Sequence, residues 1–204
     1  MNKYSSVITG TGSYLPSRVL SNDELSTMVD TSDEWIISRT GIKQRHIVAE
    51  GEFTSDLATE AAKKAIEAAK IALSDIDMII VCTTTPDSTF PSVATKVQAK
   101  LGIKNAAAFD VQAVCSGFVY GLTVADNFIK SGGAKTVLVI GAESMSKIVD
   151  WSDRNTCVLF GDGAGAVVVQ AMKSHEGIIS CQISSDGCQE SILYTDGGPS
   201  TTQT

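Results

Sequence analysis

Two short runs without polar alternation, MIIVC at 78–82 and TVLVI at 136–140, constrain this 204-residue chain more than any other feature. A strand that is apolar at every position must bury both of its faces, so each run predicts a strand inside a sheet that is covered on both sides. Further strands are expected at 7–9, at Ala107–Val111, at 158–160 and 166–169, and at 177–184. Helical segments separate them, which predicts an α/β layered fold.

The clearest helix follows Ser55, a candidate cap, and sets Leu57, Ala61, Ala65, Ala68 and Ala72 on one face with Lys63, Lys64, Glu67 and Lys70 outside it. Its alanine-rich face suggests close packing against a neighbour. Pro91 is placed to open a second helix through Val93, Val97 and Leu101, and a third, apolar almost all round and so expected to be buried, runs from Cys115 towards Lys130. Two glycine clusters, Gly10-Thr11-Gly12 and Gly161-Asp162-Gly163-Ala164-Gly165, read as turns, the second as a hairpin. Neither suits a nucleotide-phosphate cradle: Pro16 and the lack of a following amphipathic helix spoil the first, and the second leads into valines rather than a helix. The polar, turn-rich stretch 196–204 reads as a break in a longer polypeptide.

With 43% hydrophobic residues the chain can bury the core of one sizeable domain or of two small ones. Its net charge of −7 disfavours nucleic acid as a partner. The five cysteines form neither a CxxC pair nor a metal-ligand spacing, and their odd number argues against a secreted disulfide framework. No apolar run approaches the roughly 20 residues of a membrane span, and the N-terminus lacks the apolar core of a signal peptide. The expectation is a cytoplasmic protein with no membrane association and no metal.

Among the cysteines, Cys115 has a distinctive setting. In Ala113-Val114-Cys115-Ser116-Gly117-Phe118 an apolar strand turns directly into a helix, the geometry of a nucleophile elbow. A thiol there meets the positive end of the helix dipole, and the small neighbours leave room for a thioester. On these residues alone an inert buried thiol fits equally well.

Three ordered segments narrow the reading. The run from Asp30 to Ile42 (DTSDEWIISRTGI), the run from Phe109 to Phe118 (FDVQAVCSGF) and the run from Phe160 to Ala166 (FGDGAGA) resemble, in order, the CoA-site segment, the nucleophile segment and the glycine-rich turn of the β-ketoacyl-acyl carrier protein synthase III family. The resemblance covers essentially the whole chain but only the first part of a full family member. It implies a thiolase-like layered αβαβα fold, with 1–172 forming the N-terminal half and 173–204 opening a truncated C-terminal half.

The resemblance further implies that Cys115 accepts an acyl group from acyl-CoA. Trp35 and Arg154 would hold the adenine, Thr31, Arg39 and Thr40 would line the CoA site, and Asn155 would lie beside them. Without the motifs, Trp35 reads as a core aromatic and the two arginines as solvated charges. Phe90 would cross a homodimer interface into the partner's acyl pocket. The implied reaction is ping-pong condensation of an acyl-CoA, such as acetyl-CoA, with malonyl-acyl carrier protein to start fatty-acid synthesis, without a cofactor. The family's catalytic His and Asn come from a second half; the histidines here, His46 and His175, lie in neither context. The alternatives are a non-catalytic half that binds CoA or another subunit, or a different Cys-dependent acyltransferase.

Overall fold

The computed structural model describes residues 4–196 and 198. Strands β1 (Ser5–Tyr14), β2 (Arg18–Ser21), β3 (Gln44–Ile47), β4 (Met78–Cys82), β5 (Ala107–Val111), β6 (Thr136–Ser144) and β7 (Asp162–Met172) alternate with helices α1 (Asn22–Ser26), α2 (Asp33–Thr40), α3 (Thr54–Ala69), α4 (Val93–Leu101), α5 (Gly117–Ser131) and α6 (Arg154–Cys157). Five strands form a mixed sheet in the order β1-β7-β6-β4-β5. β4 runs parallel to both β5 and β6, while β7 is antiparallel to β6 and to β1.

The apolar runs are explained by the layers on either side. Ile79, Val81, Leu138 and Ile140 pack towards α3 and α4, whereas Met78, Ile80, Cys82, Val137 and Val139 pack towards α5. All five residues of β4 are buried, as expected for a central strand with helices on both faces. A smaller lobe carries the β2–β3 pair with α1, α2 and α6 around Leu20, Leu25, Ile36, Ile47, Cys157 and Val158.

β4 and β5 match their expected limits, but four local readings are corrected. Gly10-Thr11-Gly12 is strand, not turn. A Cβ at Gly10 would lie 2.3 Å from the Ala65 carbonyl oxygen, and one at Gly12 2.3 Å from that of Ala61, so these glycines let α3 press onto β1. Gly163, Ala164 and Gly165 likewise lie inside β7, paired with Glu143, Ala142 and Gly141 of β6, and no hairpin forms. The segment 158–160 closes α6 rather than forming a strand, because Val158 is drawn into the core of the smaller lobe. The segment 177–184 also forms no strand: Ile178 donates one backbone hydrogen bond to Ser6 O (2.8 Å), and a single rung makes no ladder.

Helix starts are shifted too. Asp56 accepts the Phe53 N–H (3.0 Å) and Asp87 that of Ser55 (2.9 Å), so side chains other than Ser55 cap α3. The α3 face ends earlier than expected, since Ala68 is exposed and Ala72 lies beyond the helix. α4 begins at Val93 behind the cap Ser92, not at Pro91, because the Asp110 carboxylate accepts the Val93 and Ala94 N–H groups (2.7 and 2.8 Å). α5 is not buried all round: Gly117, Gly121, Ala125, Asp126 and Ile129 are buried, whereas Val119 and Phe128 are exposed. Residues 197 and 199–204 of the expected polar tail lie outside the described residues.

Candidate active site

β5 ends at Val111 and delivers the chain into a single 3₁₀ turn, Val114–Ser116, from which α5 departs at Gly117. Cys115 sits in that turn and is exposed. Val114, immediately before it, has φ of 45°, a conformation that a β-branched residue adopts only when its surroundings enforce it. The strand-to-helix elbow anticipated from the sequence is therefore present, and it carries backbone strain.

Two other cysteines differ sharply from it. Cys82 is buried in β4, and burial pushes its thiol up to about 12. Cys157 is buried in the smaller lobe, where burial also raises its pKa, with Asp153 adding to the effect. Neither offers a thiolate near neutral pH.

The candidate CoA residues gather on the smaller lobe. Ser32 caps α2 by accepting the Trp35 N–H (3.1 Å), and Gly41 ends it in a left-handed conformation. Trp35 and Arg39 are one helical turn apart, and α6 brings Arg154 to them. The Arg154 guanidinium lies 4.4 Å from the Trp35 ring centroid and that of Arg39 lies 5.4 Å away. Arg154 also approaches the fully exposed Asp30 at 3.8 Å, a surface ion pair of little energetic weight. The Thr31 hydroxyl is buried without a hydrogen-bond partner among the described residues. Thr40 is engaged within the helix end, donating to Ile36 O (2.7 Å) and accepting from the Ile42 N–H (3.0 Å). Asn155 is exposed beside Arg154, and Phe90, in the loop before α4, is 83% exposed.

Sequence reasoning missed the groups that hold these residues in place. Arg45, in β3, is buried and donates to Leu20 O (3.3 Å), Asn22 Oδ1 (2.8 Å) and Val158 O (3.3 Å), tying the end of α6 to the β2–β3 pair. Burial lowers its pKa from the ordinary value. Asp110, held above the usual carboxylate range mainly by burial, joins the end of β5 to α4. Asp162 accepts the Val48 and Ser146 N–H groups (both 2.8 Å) and the Ser146 hydroxyl (2.5 Å). Of the two histidines, His46 donates from Nδ1 to Pro16 O (2.6 Å), and His175 is exposed.

The family model for 3-oxoacyl-[acyl-carrier-protein (ACP)] synthase III matches residues 109–187, which include the elbow, α5 and β7. A β-ketoacyl-[acyl-carrier-protein] synthase III of Paramagnetospirillum magneticum is 63% identical over 98% of this chain, and one from Ehrlichia canis is 64% identical over 95%. The chain matches the β-ketoacyl-[acyl-carrier-protein] synthase III family along nearly its whole length. It spans 63% of the Paramagnetospirillum synthase III and 61% of the Ehrlichia one. Solved synthase III structures share the fold. That from Thermus thermophilus superposes with a TM-score of 0.89 at 44% identity, covering 97% of this chain and 62% of its own. The Aquifex aeolicus structure gives 0.81 at 57% identity, covering 83% and 55% respectively. The thiolase-like layered α/β class expected from the sequence therefore holds for this chain. Among the described residues no helix is long and apolar enough to cross a membrane.

Proposed function

We propose that this chain is the nucleophile-bearing portion of a β-ketoacyl-acyl carrier protein synthase III, in which Cys115 takes the acyl group of an acyl-CoA. The observation that carries the reading is the exposed thiol of Cys115 on a strained strand-to-helix elbow. The thiolate attacks the thioester carbonyl, the tetrahedral intermediate collapses, and CoA leaves as its thiolate and takes up a proton; Cys115 is left as a thioester. Malonyl-acyl carrier protein then loses CO₂, and its carbanion attacks that thioester to give the 3-ketoacyl product and a free Cys115. The resemblance assigns this second step to a His and an Asn outside the present sequence, so 204 residues alone are expected to acylate but not to condense.

Trp35, Arg39 and Arg154 form the adenine end of the CoA site in this reading, with Thr31 contributing its unpartnered hydroxyl and Thr40 and Asn155 at the margin. Arg154 already stacks on Trp35, so an entering purine must open that stack and replace one cation–π contact by two ring contacts. The exposure of Phe90 fits its insertion into a second copy in a homodimer. The end of β7 at Met172 supports a division of the chain into 1–172, one layered half, and 173–204, the start of another. A cytoplasmic, cofactor-independent enzyme is part of the same proposal.

The test is incubation with acetyl-CoA followed by peptide mass spectrometry. One acetyl group on Cys115 is expected, with the other four cysteines unmodified. Acetylation of Cys82 or Cys157 with Cys115 free would overturn the assignment.

A further inference from the structure

We propose that Glu143 is a positioning residue for Cys115, gripping the segment 83–85 that braces the strand leading into the elbow. The inference rests on the reading of Cys115 as the nucleophile.

The left-handed backbone of Val114 has to be enforced from outside the turn. The approach to it is held by two bonds to the segment that follows β4. The Thr83 N–H donates to Val111 O (3.1 Å), and Gln112 Nε2 donates to Thr84 Oγ1 (3.1 Å). That segment has no secondary structure of its own; the Thr54 hydroxyl donates to Thr85 O (2.6 Å), and the other grip on it is Glu143, near the end of β6. Glu143 Oε1 accepts the Thr84 N–H (2.8 Å), while Oε2 accepts the hydroxyls of Thr83 (3.3 Å) and Thr85. The Thr85 hydroxyl in turn accepts the Ser144 N–H (2.8 Å), closing the loop back onto β6. One carboxylate thus organises three consecutive threonines, and the first two carry the bonds to the elbow approach.

A half-buried carboxyl is an expensive way to hold a loop. Desolvation raises the pKa of Glu143 although each of its hydrogen bonds lowers it, so the fold tolerates the charge here at some cost. What the charge supplies is several acceptor sites at one point, which no apolar residue could provide. The opposite end of the same strands gives a natural control. There Asp77, before β4, accepts the Lys135 and Thr136 N–H groups (2.7 and 3.0 Å) and also ties β4 to β6, but away from the elbow.

The experiment measures alkylation of Cys115 by iodoacetamide, read by peptide mass, with the unfolding midpoint of each variant recorded alongside. Loosening the elbow removes the thiol from the helix N-terminus, so Glu143→Ala is expected to slow alkylation about tenfold. Glu143→Gln should restore it to within about threefold, since its amide keeps an acceptor for Thr84 and can donate to the hydroxyls. The Glu143→Ala/Gln112→Ala double variant should be no slower than Glu143→Ala alone, because both lie on one path. Asp77→Asn should lose stability and alkylate at the wild-type rate. An unchanged or faster rate in Glu143→Ala, or an equal slowing in Asp77→Asn, overturns the inference. If Glu143→Ala does not fold, Thr84→Val breaks the next step of the same path by removing the hydroxyl that Gln112 donates to, and a wild-type rate in it has the same consequence. Acetyl transfer to wild-type Cys115 is read separately, so its absence beside the expected alkylation pattern defeats the proposed function and not the positioning role.

Discussion

Gly121 offers a direct way to ask whether the seating of α5 controls Cys115. A Cβ built at Gly121 lies 2.4 Å from Cys82 Sγ, 3.1 Å from Val139 Cγ1 and 3.7 Å from Ile80 Cγ2. Ordinary contact needs about 3.5–4.0 Å, so Gly121→Ala must move the sulfur or lift the helix by about 1 Å. Cys82 is 4% exposed on a central strand and has little room to yield. Overpacking of this kind costs about 1–3 kcal/mol, and the upper half of that range is expected where a whole helix is displaced. Displacing α5 also displaces the elbow at its N-terminus, and an error of about 1 Å in a reacting geometry can cost about a hundredfold in rate.

Cys82→Ala removes the obstructing sulfur. Alone it leaves a small void and costs on the order of 1 kcal/mol. Combined with Gly121→Ala, the new methyl fills the void, leaving only the tighter approach to Val139. The double variant should therefore be more stable than the sum of the singles by about 1 kcal/mol or more, and it should recover acetylation of Cys115. Urea unfolding followed by circular dichroism gives the stabilities, and mass-resolved acetylation the rates. Additivity within about 0.5 kcal/mol, the value for independent sites, would refute the claim that this contact seats the nucleophile helix.

Two further outcomes follow from the site. Trp35→Ala and Arg154→Ala should each weaken acyl-CoA binding by on the order of 1 kcal/mol while leaving iodoacetamide alkylation of Cys115 unchanged; unaltered affinity in a calorimetric titration of both variants would remove them from the site. Because burial raises the Glu143 pKa in the folded protein, its term in stability is fully present below the unfolded value of about 4.3 and is lost as pH rises through the folded value. Urea midpoints of Glu143→Gln from pH 4 to 8 should fall less than those of wild type, and a steeper fall would contradict that direction.

The strands at Met78–Cys82 and Ala107–Val111 were legible because residues buried on both faces, or placed between turn signals, announce themselves locally. The elbow was legible for the same reason, as strand, small residues and helix are contiguous. Two of the misread stretches share one cause: a glycine cluster reads as a chain-reversal signal where the structure uses it for space or within a strand. Gly10 and Gly12 admit the α3 backbone, and Gly163 and Gly165 continue a strand paired on both sides. The supporting polar groups were illegible because their partners are remote. Glu143 meets residues about 60 positions away, Asp162 meets Val48 at a separation of 114 and Arg45 meets Val158 at 113. No local pattern marks a carboxylate or guanidinium as buried when its partners are backbone groups that the fold brings to it.

Those long-range contacts also explain what the glycine-rich segment does in place of a turn. The candidate adenine cluster belongs to the smaller lobe and Cys115 to the main sheet, so a substrate touching both requires a fixed separation between them. Asp162, at the first position of β7, bonds Val48 just beyond β3 on one side and Ser146 just beyond β6 on the other. Gly161 packs in the same joint: a Cβ there would lie 2.8 Å from the Arg45 Cβ and 3.2 Å from His46 O, prising β3 off the sheet. Arg45 then passes the constraint to Val158 at the end of α6, and α6 carries Arg154. Hydrogen bonds to a charged group are worth about 1.5–3 kcal/mol each, and a buried carboxylate stripped of them pays its desolvation unrelieved. The joint therefore rests on stronger contacts than the stack of Arg154 on Trp35, so in the proposed CoA site an adenine would open that stack while the lobe that carries it stays in register with the elbow.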